Sequence, residues 1–273
     1  SEEDLFKDLQ GVIFLNPLYD ETNSLSNKYL MADEYLSGNV REKLRQAKMA
    51  NQAESGKYTI NVQALEKVQP KDLPASDISV RLGATWIPTE IVEQFVYEFL
   101  DTPRWARWNI KVHFSDFTSE WNIEGKSYDR SNVKAYSTYG TGRINAYKII
   151  EETLNLKDVR IFDYIEDEDG KKKAVLNKKE TAIAQSKQEL IKQGFQDWIW
   201  QDPMRREKLV KLYNERFNSI RPREYDGSHI VFNGMNSEIT LREHQRNAVA
   251  HILYGGNTLL AHAVGAGKTF EMV

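Results

Sequence analysis

Cysteine is absent from the 273 residues. That excludes the disulfide-stapled secreted class and leaves no zinc pattern unless histidine dominates it. The five histidines, at 113, 229, 244, 251 and 262, show no ligand spacing. His244 and His251 are seven apart and share a helix face at most, which suits a structural role. No apolar run approaches the ~18 residues of a membrane span. No charged-then-apolar leader opens the chain, so the expected location is the cytoplasm. Internal repeats and low-complexity segments are also lacking. With 15 Gly, 7 Pro and 40% hydrophobic residues, the composition suits one large globular domain or two smaller ones.

Charge is present but unevenly placed. The net of −3 conceals a basic block: residues 171–223 carry 14 Lys+Arg against 6 Asp+Glu, while residues 1–170 carry 20 against 29. Such a block fits a polyanion partner and equally a solvated, lysine-rich helix face.

In chain order, Val12–Leu15 reads as a strand. Asn16-Pro17-Leu18-Tyr19 is close to the Asn-Pro-Pro-Tyr motif of amino-methylating DNA methyltransferases. The second proline is missing and no cofactor-binding glycine loop lies upstream, so a strand-ending Asn-Pro turn is the better reading. The spacing predicts a helix over 32–53, capped by Asp33 or Ser37, and a second over 61–68. Pro88 opens a helix carrying a wide stripe, Ile91, Val92, Phe95, Val96, Phe99 and Leu100. Alternation around Ile110–Phe114 and Trp121–Glu124 predicts a hairpin. The stretch from Gly125 to Gly142, with Tyr128, Tyr136 and Tyr139, is either a base-stacking loop or, by preference, a half-buried strand pair. A helix over 144–156 precedes strands at 159–165 and 174–176, joined by a charged tip, Glu166 to Lys173. A long helical region, 177 to about 219, is broken at Pro203 and holds most of the basic block. Arg205, Arg206, Lys208, Lys211 and Arg216 are its candidate nucleic-acid contacts. Arg221 to Gly227 leaves it as a linker.

The last stretch bears the chemistry. Leu241-Arg-Glu-His-Gln245 opens a helix through Tyr254, ended by Gly255-Gly256. Thr258–Ala261 reads as a buried strand. Gly265-Ala266-Gly267-Lys268-Thr269 then supplies a phosphate-cradling turn at a helix start. Its glycines free the backbone, Lys268 can reach the β- and γ-phosphates, and the Thr269 hydroxyl can ligate Mg²⁺. The strict GxxxxGK pattern wants glycine where His262 stands.

A Leu-Arg-x-His-Gln helix some two dozen residues before Gly-x-Gly-Lys-Thr resembles the start of a superfamily-two helicase of the Swi/Snf-like branch. That resemblance makes Gln245 the adenine-reading Q-motif residue and Gly265–Thr269 motif I. Ala32 to Leu44, Arg81 to Pro88, Leu176 to Thr181, Arg221 to His229 and Leu253 to His262 further resemble large mobile-element and phage proteins of the DarB-like antirestriction kind. Those join an adenine-specific DNA methyltransferase to a helicase. The resemblance implies ATP and Mg²⁺ as cofactors of the intact protein, S-adenosylmethionine for its methyltransferase domain, and DNA plus the flanking catalytic domains as partners.

The expected fold is α+β: a helix-rich connector with small, mostly antiparallel sheets over 1–235, its basic helical part at about 177–223. The start of an α/β RecA-like helicase lobe follows over 236–273. With no initiating methionine and an end four residues after Thr269, the chain reads as an excised piece that hydrolyses no ATP by itself. The alternative is a non-catalytic DNA-binding or structural connector.

Overall fold

The computed structural model describes residues 6, 8–166, 172–236, 238–255 and 257–269. Its helices are α1 (Ala32–Tyr35), α2 (Val40–Ala53), α3 (Thr59–Lys67), α4 (Thr89–Phe99), α5 (Ala146–Leu154), α6 (Lys178–Ile199), α7 (Pro203–Phe217) and α8 (Glu243–Gly255). The strands are β1 (Ile13–Leu15), β2 (Tyr29–Met31), β3 (Gly38–Asn39), β4 (Val112–Ser115), β5 (Glu120–Ile123), β6 (Phe162–Glu166), β7 (Lys172–Leu176) and β8 (Ile220–Arg221). They form two-stranded antiparallel pairs, β1–β2, β3–β8, β4–β5 and β6–β7. The fold is α+β.

The chain divides into two compact units, Leu73–Asn214 and the sequence on either side of it. The functional boundary expected at 235/236 therefore falls inside the flanking unit.

The unit 73–214 has the larger core. The α4 stripe is buried as its spacing requires: Ile91, Val92, Phe95 and Val96 are all inside. Phe95 is fully enclosed, with ring contacts to Phe99, Phe195 and Trp198 at 4.9–5.3 Å. Pro88 is the residue before α4 rather than its first. Helix α6 is capped by Asn177, whose side chain accepts the Glu180 N–H. Its glycine has a packing role, since a Cβ on Gly194 would lie 2.2 Å from Phe99 Cε2.

The strand expected from 159 begins only at Phe162. Residues 159–161 join no strand and are bonded to α6 side chains instead. The Gln188 amide accepts the Val159 N–H and donates to Lys157 O, and Thr181 Oγ1 accepts the Ile161 N–H. A helix side-chain ladder satisfies this backbone, as burial demands. The strand pair preferred for 125–142 is also absent: residues 134–138 form a π-helical turn, flanked by turns. Gly125 explains the close approach, because its φ is +67° and a Cβ there would stand 2.2 Å from Asn109 O. The charged tip at 166–173 lies mostly outside the described residues.

Asn214 closes this unit. Its side chain accepts the Leu73 N–H (2.8 Å) and donates to Leu73 O (3.0 Å). One amide thus copies a rung of β-ladder between the first and last residues of the unit.

The flanking unit has a smaller core of Phe14, Tyr35, Val40, Ala47 and Leu65. The single helix expected over 32–53 is two, separated by β3, because Gly38 takes φ +70° and the chain pairs there with β8. The cap of α2 is Asn39, which accepts the Glu42 N–H, and not Asp33 or Ser37. Asp33 instead pairs with Arg223 at 2.7 Å. Asn16 ends β1 as an Asx turn, its Oδ1 accepting the Leu18 N–H at 3.0 Å.

Candidate functional site

Helix α8 and the glycine turn come together in the flanking unit. Gln245 is buried at 6% exposure. Its amide nitrogen donates to Gly267 O (3.1 Å) and Ala266 O (3.3 Å), and its oxygen accepts the Arg242 N–H (2.9 Å). His244 Nε2 lies 3.0 Å from Ala266 O, and its ring meets His262 edge-on at 5.8 Å. The two stretches singled out in the sequence, some twenty residues apart, therefore lie against each other.

Within the loop, Gly265 (φ +86°) and Gly267 (φ +83°) take the left-handed conformation that side chains disfavour. A Cβ on Gly265 would meet nothing within 4 Å, so φ rather than space requires glycine there. The Lys268 ammonium donates to His262 O at 2.8 Å. His262 thus contributes a carbonyl at the position where the strict pattern has glycine. Thr269 is exposed at the start of a helical turn.

The alternating glycines curl the chain, and the turn is closed on itself by the Ala266 N–H, which donates to Ala263 O at 3.3 Å; an anion at this turn would compete with that bond. Gln245 is committed differently. Both amide hydrogens and one lone pair are already used on the loop and on Arg242, so its first role is to hold the loop. Reading adenine requires it to exchange a partner.

The strand expected at 258–261 is not formed. A strand needs a ladder partner, and Leu259 is 88% exposed. The expected linker 221–227 and the residue after it are not free either. Tyr225 stacks on His251 at 4.3 Å, the Gly227 N–H donates to Asn247 Oδ1 at 2.8 Å, and Arg246 donates to Ser228 O at 2.8 Å. Gly227 is required by contact, since a Cβ would stand 2.0 Å from Arg246 O. Sequence reasoning missed Asn247 and Tyr225 as site supports. The pattern Tyr-Asp-Gly-Ser does signal a tight turn, but nothing local names α8 as its partner.

On α7, the basic candidates separate. Arg205 is 7% exposed and cannot reach a phosphate. Its guanidinium donates to Trp198 O (2.7 Å) and Ile199 O (3.0 Å) and lies 3.5 Å from the Trp198 ring centre. Burial pulls its pKa below the usual arginine value. It completes the carbonyls at the C-terminus of α6, as cations do there. Arg206, Lys208, Lys211 and Arg216 are exposed. Among the described residues, no group of three or more His, Asp or Glu is placed to hold a metal ion, and no helix is long and apolar enough to cross a membrane.

No curated protein and no solved structure matches the chain. A family model does, that of the Domain of unknown function (DUF8437), over residues 81–219. The match covers nearly all of the 73–214 unit and stops short of α8 and the glycine turn. Because it spans just over half of the 273 residues, the chain belongs to this family, the Domain of unknown function (DUF8437).

Proposed function

We propose that the chain is part of an ATP-dependent DNA helicase or translocase joined to an adenine-specific DNA methyltransferase, working in the cytoplasm in DNA modification or antirestriction. The observation that carries this reading is the bonding of Gln245 to the carbonyls of Ala266 and Gly267. Two motifs that resemble the Q motif and motif I are held against each other. ATP with Mg²⁺ would supply the phosphoryl chemistry, and S-adenosylmethionine would serve the methyltransferase domain of the intact protein. In this chain, the backbone of Gly265, Ala266 and Gly267 would hold phosphates, Lys268 would neutralise them after leaving His262 O, and the Thr269 hydroxyl would face the cation. Arg206, Lys208, Lys211 and Arg216 would contact the DNA backbone.

The test is titration of a slowly hydrolysed ATP analogue with Mg²⁺ onto the chain, followed by calorimetry. Wild type is expected to bind, and Lys268→Ala to weaken binding at least tenfold. Equal affinity in the variant sinks the assignment of the loop. A second reading, supported by the exposed cations Arg206, Lys208 and Lys211 on α7, is that the 73–214 unit is a DNA-binding or structural connector without chemistry. That reading expects DNA binding with a negative slope against log salt, and no change on adding nucleotide.

A further inference from the structure

Residues 104–108 repeat an Arg-Trp pair at a three-residue interval, Arg104-Trp105-Ala106-Arg107-Trp108. Ala106–Trp108 form a 3₁₀ turn, and Trp105, its N-cap, has helical φ −65° and ψ −32°. Side chains three apart on a 3₁₀ helix eclipse one another. Trp105 and Trp108 therefore project to one side of the turn. Ala106 is fully buried and anchors its other side.

The indoles are left in solvent. Trp105 is 57% exposed and Trp108 is 83% exposed. Neither has a hydrogen-bond or ring partner among the described residues. A rise of about 2.0 Å per residue sets them about 6 Å apart along the turn. Bases in a stacked strand are spaced about 3.4 Å apart, so a base held between two rings needs about 7 Å. The interval suits one base between the indoles.

The turn is rigidly seated. The Arg107 guanidinium donates to Thr102 O at 2.9 Å and lies 5.2 Å from the Tyr97 ring. The loop after Tyr128 is pinned beside it. Asn132 donates to Leu100 O (2.8 Å), and Lys134 pairs with Asp101 (2.5 Å). Thr102 Oγ1 and Asp129 Oδ2 both bond Tyr147 Oη, each at 2.9 Å. Tyr128 and Arg130, the exposed neighbours of Asp129, thus belong to the same end of the unit. Of the carboxylates here, Asp101 is paired with Lys134, while Asp129 is fully buried, its Oδ2 accepting from Asn132 and Tyr147 and its Oδ1 without a partner among the described residues. Arg104 and Arg130 form no ion pair among the described residues.

We propose that this surface binds single-stranded DNA, stacking bases on Trp105 and Trp108 with Arg104 and Arg130 on the phosphates. Exposed aromatics beside unpaired cations are the recognition chemistry of single strands, whose bases offer free faces. Duplex bases are already stacked and do not enter. The choice of DNA rests on the proposed function, but the surface does not depend on the nucleotide loop.

The experiment is fluorescence anisotropy of a labelled oligothymidylate of about 15 nucleotides, a length near the upper site size of one binding module. Parallel arms use the corresponding duplex and an abasic strand with equal phosphates. Wild type is expected to prefer the single strand. The double variant Trp105→Ala/Trp108→Ala should weaken it by about 5- to 150-fold for each stacked base lost. Trp105→Phe/Trp108→Phe should retain most binding. Arg104→Ala should reduce the log-salt slope by about one. Equal affinity for the abasic strand, or unchanged binding by the double alanine variant, overturns the proposal. Lys268→Ala should leave strand binding intact. A chain that binds nucleotide but ignores these substitutions refutes only this surface. A chain that binds neither strand nor duplex removes the DNA partner from the proposed function as well.

Discussion

The 73–214 unit and the stretch from Leu241 to Thr269 bury their residues in opposite ways. The unit encloses whole aromatic and aliphatic side chains: Phe95, Leu100, Ile110, Tyr147 and Phe195 are all at or near zero exposure. The other stretch buries Leu241, Gln245, Ala248 and Ala250, but leaves Leu259 and Val264 in solvent. Hydrophobic burial holds the first together, whereas hydrogen bonds from Gln245, His244 and Lys268 to backbone carbonyls position the second. Burial is cumulative and tolerates small errors. A bonded loop is specific, cheap to open and easily re-bonded to a ligand.

That contrast can be broken by substitution. Phe95→Ala should cost the largest amount, about 3–5 kcal/mol in the denaturant unfolding of the chain, because the ring is fully enclosed by three others. A loss under 1 kcal/mol would mean that the aromatic cluster does not hold the unit.

Glu151 comes next. Burial pushes its carboxyl up, but the Ile123 N–H and the Lys126 and Lys148 ammoniums outweigh burial and hold it below the usual value. Hydrogen bonds to charged groups are worth about 1.5–3 kcal/mol, and Glu151→Gln should lose about that much at neutral pH. A depressed carboxyl contributes fully above its unfolded value of about 4.3. It contributes progressively less as pH falls through the lower folded value. Wild-type stability should therefore decline below about pH 4.3, and the variant should decline less over the same window. Parallel pH profiles for the two would contradict the pairing.

Gly194→Ala tests packing against propensity. In a helix interior, alanine normally gains about 1 kcal/mol over glycine. Here the new methyl meets the Phe99 ring, so a net loss of about 1–3 kcal/mol is expected. A gain in melting temperature would show that Phe99 yields freely.

Gln245→Ala should have the smallest effect on global stability. Unfolding of the 73–214 unit should shift by less than about 0.5 kcal/mol, because the bonds lost hold a loop that opens locally. Amide exchange at 262–269 should accelerate, because the clasp on Ala266 and Gly267 is gone. Unchanged exchange would show that other contacts position the loop.

The helices were legible in the sequence where apolar spacing and caps agreed. The α4 stripe, the break at Pro203 and the Gln245 helix all follow from local pattern. The Gln245 and glycine-loop stretches each stand out as motifs in the sequence, but their contact is seen only in the fold. What the sequence hid were partners distant in the chain. Arg205 looks like its basic neighbours until Trp198 and the α6 carboxyl end close around it. Residues 159–161 have strand composition, yet Gln188 and Thr181 supply their bonds. Tyr-rich 125–142 reads as strands by propensity, and Gly125 against Asn109 turns it into a loop. Tertiary contact decides each of these, and no window of local sequence contains it.

The Asn214 rung on Leu73 has a consequence for how this chain can be assembled from parts. The 73–214 unit enters and leaves through a single hydrogen-bonded point, so its ends are as close as those of a tight loop. To the host sequence, a folded unit with joined ends resembles a short connection in entropy, since closure has already been met inside the insert. It is a cassette: material of this kind can be gained, lost or exchanged at one seam while the residues on either side keep the same span to bridge.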